Sequence, residues 1–130
     1  MIPLFLVGSD WTIFFLRVAL GIIFIAHGWA KVKNFQGTAS WFESVGFKPG
    51  RFWGIVVGIL ELGGGILFLA GLFVQPVAVL LAVQFIVIIV WRLKRREKLI
   101  GGYEFDLALL GALAALATLG SDLYALDPFV

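Results

Sequence analysis

The chain has 130 residues, 62% of them hydrophobic and 14% charged, with a mean hydropathy of +1.06 and a net charge of +2. Such a composition excludes an ordinary soluble domain and leaves an integral membrane protein, with no room between its apolar runs for a soluble module of useful size. Without cysteine it cannot exchange dithiols or hold a thiolate metal site, and one histidine cannot alone build a haem or zinc centre, so redox chemistry would need a bound cofactor or a partner.

Residues 1–10 carry no Lys or Arg, and no small-residue cleavage site follows the first apolar run. Residues 11–29 therefore read as a retained membrane helix rather than a signal peptide, a span of about 11–30 with Trp11 and Trp29 at its two interfaces. Arg17, Gly21, Gly28 and Lys31 fall within a narrow arc of this helix, and His27 flanks the arc. Residues 31–51 are polar enough to leave the membrane. Within them TASWFESVGF (38–47) groups Phe42 and Val45 on one side, predicting a short interfacial helix closed by Gly46 and Pro49.

Residues 52–74, FWGIVVGILELGGGILFLAGLFV, form an apolar run of helix length with a single carboxylate, Glu61, near the middle. About 20 residues at ~1.5 Å each cross the ~30 Å hydrocarbon core. Gly54, Gly58 and Gly65 share a face with Glu61, a packing ridge that admits a neighbouring backbone and turns the acid into a bundle. A tight turn at 72–76 follows, with Pro76 suited to the first position of the next helix. That third span, 76–92, is rich in β-branched residues with Gln84 as its one polar interruption, and reads as mostly lipid-facing.

RLKRREK (92–98) is the charge run, a topology signal before it is a docking patch for anionic lipid or an acidic partner; nothing accompanies it that would support nucleic-acid binding. In the fourth span, 102–120, Glu104, Ala108, Gly111, Ala115 and Thr118 share one face, so Glu104 opens another small-residue ridge while Asp106 points the opposite way. A short acidic tail closes the sequence. Lys31, Lys33, Lys48 and Arg51 lie in the first loop and Arg92, Lys94, Arg95, Arg96 and Lys98 in the third, which predicts both basic loops in the cytoplasm and both termini outside.

These positions predict an all-α integral membrane four-helix bundle with four inward ionisable groups: Arg17, His27, Glu61 and Glu104. A charge at the bilayer centre costs about 2.5–3.5 kcal/mol even on lenient insertion scales, so each needs a partner, a ligand or water. The depths suggest that Arg17 reaches Glu61. Either the four close into structural ion pairs or they wall a polar pocket.

Arg17-x-x-x-Gly21 with His27-Gly28-x-x-Lys31, Glu61-x-x-Gly64-Gly65 with Leu69-x-Gly71-Leu72, Gly102-Tyr103-Glu104-x-Asp106 and a closing Leu126-Asp127 together make the chain resemble the DoxX family of small four-helix membrane proteins. It departs from the usual pattern at Ala125, where a serine hydroxyl is absent. The resemblance implies a bundle associated with membrane redox systems, quinone-linked or engaged in oxidative stress, with a quinone as candidate ligand and a soluble or membrane redox partner or a homo-oligomer as candidate assemblies. A non-catalytic scaffold or small-molecule carrier with structural charges is the other reading.

Overall fold

A computed structural model describes residues 9–119, all of its regular structure helical. Helix α1 runs Ser9–Lys33, α2 Phe35–Ser44, α3 Gly50–Ala70, α4 Val74–Lys94 and α5 Glu104–Leu119, with a π-helical turn, Leu99–Tyr103, before α5. Four helices are long and apolar enough to cross a bilayer: Trp11–Lys33, Gly50–Ala70, Val74–Lys94 and Leu99–Leu119. The acidic tail, Ala125 and the Leu126-Asp127 pair lie outside the described residues.

The helix ends follow local chemistry. Asn34 caps α2, its Oδ1 accepting from the Gly37 N–H at 3.3 Å, so this helix starts three residues earlier than the Thr38 of the sequence reading. Gly71 ends α3 at φ +74°, and the N–H groups of Gly71 and Leu72 return to the Leu67 carbonyl at 2.8 and 3.0 Å. This closes the α3 C-terminus where an L side chain would be strained. Pro76 falls on the third residue of α4 rather than the first, where its missing N–H is still one of the unpaired donors of a first turn.

The bundle is built from two helix pairs, α1 on α3 and α4 on α5, with α2 lying against α3. The α1–α3 pair is a glycine interlock. Gly21, Gly28, Gly54, Gly58 and Gly65 are all buried, as the packing ridge requires. A Cβ on Gly28 would run into the Leu62 backbone, and one on Gly65 would lie 2.7 Å from Ile25 N, so the two backbones touch along this seam.

The α4–α5 pair packs differently. Its core is Val74, Val77, Ala78, Leu81, Phe85, Leu109, Leu113 and Leu116. Gly111 is exposed with open space around its Cα, and Glu104, Ala108 and Thr118 are exposed with it, which corrects the inward ridge expected on the last span. The reason is the partner: α4 has no glycine, so close backbone approach is closed to this pair and leucine side chains fill the contact instead. Helix α4 correspondingly buries one stripe, from Val74 to Ile89, and exposes Val79, Leu80, Val83, Ile86 and Val90, so most of its surface is left for lipid.

Candidate functional site

Glu61 is the most informative polar residue, because the glycine ridge that buries α3 against α1 carries its carboxylate inward to 3% exposure. Both oxygens are occupied. Lys31 Nζ lies 2.6 Å from Oε1, and Gln84 Nε2 donates to Oε2 at 2.7 Å, so three helices meet at one carboxylate. Lys31 is 28% exposed, its ammonium turned in onto the buried carboxylate.

This arrangement corrects the expected Arg17–Glu61 contact. Arg17, 1% exposed, donates Nη1 to the Phe68 and Leu69 carbonyls at 2.6 and 2.9 Å and covers the Phe14 ring at 5.3 Å. It thus adds a donor to two carbonyls in the last turn of α3, of which that of Phe68 also accepts the Gly71 N–H at 3.2 Å, and there a cation also meets the negative end of the helix dipole. The register explains the difference. Gly28 sits against Leu62, so Glu61 is level with the far end of α1, about 17 Å along the axis from Arg17 at ~1.5 Å per residue.

Glu104 likewise does not turn inward: it is exposed, and its Oε1 accepts the Gly101 N–H at 3.1 Å, closing the turn in which Gly101 has φ +79°. Asp106, expected to point away, is 8% exposed. Its Oδ2 lies 2.7 Å from Arg92 Nε, an ionic contact off the N–H axis, while Arg92 Nη1 donates to Glu97 at 2.8 Å. His27 is exposed, stacked on Phe105 with centroids 5.8 Å apart. Its Nδ1 is 2.8 Å from the Ile23 carbonyl, which can only accept, so that nitrogen carries the proton.

Around Glu61 opens a cavity of about 630 Å³ at the end of the bundle that carries both basic loops. Its polar groups are Glu61, Lys31, Gln84, His27 and the Arg92–Asp106 pair; Arg17 and Glu104 lie outside it. The rest is apolar and strongly aromatic, with Trp41, Trp53, Trp91, Phe42, Phe47, Phe85 and Phe105 in the wall. Trp41 and Phe47 of the α2 segment meet Trp91 of α4 at 5.8 and 6.4 Å between centroids, so α2 roofs the cavity. A second, more open hollow of about 470 Å³ shares His27, Lys31, Trp41 and Phe42 with it and adds Asn34 and Thr38. Of the four predicted site residues the fold brings together Glu61 and His27. Sequence reasoning passed over Lys31, Gln84, Arg92 and Asp106, although Lys31 stood on the Arg17 arc and Gln84 was the lone polar residue of its span.

A mostly apolar cavity with a few convergent polar groups thus opens among the helices, and the four spans make the chain a multi-pass protein of the cell membrane. The family model for DoxX matches residues 12–93, and the chain belongs to the DoxX family. It is 41% identical over 115 residues to "Putative oxidoreductase CatD" of Bacillus subtilis (strain 168), a match covering 88% of this chain and 84% of the relative. It is also similar to two proteins of Escherichia coli (strain K12). The match to "Inner membrane protein YqjF" is 35% over 66 residues, covering 51% of this chain and 49% of the relative. That to "Inner membrane protein YphA" is 34% over 64 residues, covering 49% and 46%. No solved structure matches.

Proposed function

We propose that the protein is the membrane-embedded ligand-binding component of a redox system, quinone-linked or engaged in oxidative stress, that holds a small aromatic molecule beside Glu61. The observation that carries this reading is the Lys31–Glu61–Gln84 cluster facing an aromatic-lined cavity of about 630 Å³. That volume lies within the ~300–1,000 Å³ usual for ligand sites, and aromatic walls favour a flat ring. Resemblance to a relative named as an oxidoreductase supports the redox setting. Glu61, Lys31 and His27 would exchange protons with the ligand, and electrons would come from a soluble or membrane partner.

Equilibrium binding of short-chain quinone analogues to the purified protein tests the pocket, with Glu61→Gln and Phe85→Ala beside the parent. Binding in the micromolar range is expected for the parent, weakened about tenfold or more by Phe85→Ala as the ring loses its wall. If no analogue binds, the complete Lys31–Glu61 pair is read as a structural tie that fixes helix register, and the protein as a scaffold.

The orientation is part of the proposal. Both basic loops lie at the α2 end of the bundle, as the Trp41–Trp91 contact requires, and the excess of Lys and Arg there favours a cytoplasmic position. Both termini would then be outside. A reporter joined after Val130 that works only in the cytoplasm should be silent, and activity would reverse the assignment.

A further inference from the structure

Helices α3 and α4 touch near the short turn that joins them: a Cβ on Gly64 would lie 3.1 Å from the Val77 side chain and 3.2 Å from that of Leu81. One turn further toward the basic loops Gln84 reaches Glu61 through the length of its side chain, and beyond that bond residues of both helices face the cavity, Val56 and Leu60 on α3 and Val83 and Val87 on α4. Val56, Val83 and Val87 are exposed as well as lining the cavity, and beside them Ile55, Ile59, Ile86 and Val90 are exposed without lining it. The cavity wall therefore runs into the outer surface of the bundle on both sides of the α3–α4 gap. Val56 is six residues from the start of α3 at Gly50 and Val87 seven from the end of α4 at Lys94, about 9–10 Å at ~1.5 Å per residue, which puts this rim at hydrocarbon depth.

Charge within the wall is answered by charge. Lys31 is paired with Glu61 at 2.6 Å and Arg92 with Asp106 at 2.7 Å. An ionic ligand would stand in this apolar space without a counter-ion, whereas a neutral one carries no such cost. On the side that faces the basic loops Trp41 and Phe47 of the α2 segment close over Trp91. Resting on the pocket reading above, we propose that the ligand is an uncharged amphiphile dissolved in the bilayer, which enters sideways between α3 and α4 and keeps its apolar chain in that gap while its polar ring lies at the Lys31–Glu61 end. The polar groups gathered at one end of the cavity and the valine rim that opens on lipid match the two halves of such a molecule.

The test uses the purified protein in lipid nanodiscs and a decyl benzoquinone, whose ring quenches the fluorescence of the wall tryptophans, Trp41, Trp53 and Trp91, when it arrives. The double variant Val56→Phe with Val83→Phe narrows the rim from both sides and should slow association and dissociation alike, each by about tenfold, because a constricted path hinders passage in both directions. Ile59→Phe with Ile86→Phe adds the same bulk to lipid-facing positions outside the wall and should leave both rates unchanged. The same ring with a sulfonate in place of the chain should bind the parent about tenfold more weakly or worse. An unchanged rate in the rim variant, or equal slowing in the control pair, overturns lateral entry while leaving the pocket standing. Equal affinity of the parent for the sulfonate and the decyl compound also overturns the proposal, and decides it even if the rim variant does not fold. Absence of binding by either compound removes the pocket itself.

Discussion

Lys31→Met is expected to destabilise the protein by about 3 kcal/mol or more, the cost of breaking a buried ion pair from the more exposed side. Glu61 would keep Gln84 as its one remaining protein donor among the described residues, and a neutral donor does not compensate a buried carboxylate as an ammonium at 2.6 Å does. The reverse change, Glu61→Gln, is expected to be milder, because Lys31 is 28% exposed and its long stem can carry the charge to the aqueous edge. Combining the two should recover most of the Lys31→Met loss. The corresponding cycle for Arg17→Gln and Glu61→Gln should be additive to within about 0.5 kcal/mol, since the Arg17 guanidinium holds the Phe68 and Leu69 carbonyls, ~10–12 Å along α3 from Glu61. Unfolding titrations in mixed micelles measure both cycles. Strong coupling in the second and none in the first would return Arg17 to Glu61 and displace Lys31 from the site.

The α1–α3 seam supplies the second large effect. Gly28→Ala should cost near the upper end of the ~1–3 kcal/mol typical of overpacking, because the added methyl meets the Leu62 backbone, with Leu62 Cα at 2.6 Å. Gly21→Ala should cost less. Its nearest obstacle is the Leu69 side chain at 2.9 Å, which can turn aside. Gly111→Ala meets nothing within 4 Å and should be neutral or stabilising by up to ~1 kcal/mol through helix propensity. Thermal unfolding midpoints in detergent would rank the three. If Gly111→Ala costs as much as Gly28→Ala, the last span packs through its small residues after all and the leucine contact described here is wrong.

This contrast between two glycines shows what kind of information the sequence held. Small residues at spacings of three and four mark a face that can pack closely, and on α3 that face lies against glycines of α1. On α5 the same pattern was present without a matching partner. Which helix becomes the neighbour is a property of the assembled bundle, and α4 offers no glycine to receive it.

Composition, hydropathy and residue spacing by themselves determined a four-span helical membrane protein and the inward turn of Glu61. Those properties follow from the local cost of exposing backbone and charge to lipid, which each segment carries on its own. Pairing of charges followed from something no segment contains, the axial register of one helix on another. Depth estimates made Arg17 and Glu61 neighbours, whereas the Gly28–Leu62 interlock slid α1 until Lys31 stood beside the acid and Arg17 met the end of α3. The cavity was decided in the same way: Gln84 from α4 and the aromatic roof from the α2 segment converge on Glu61 only once the two helix pairs are assembled, because a carboxylate in lipid is stabilised by whichever donors the packing brings within reach.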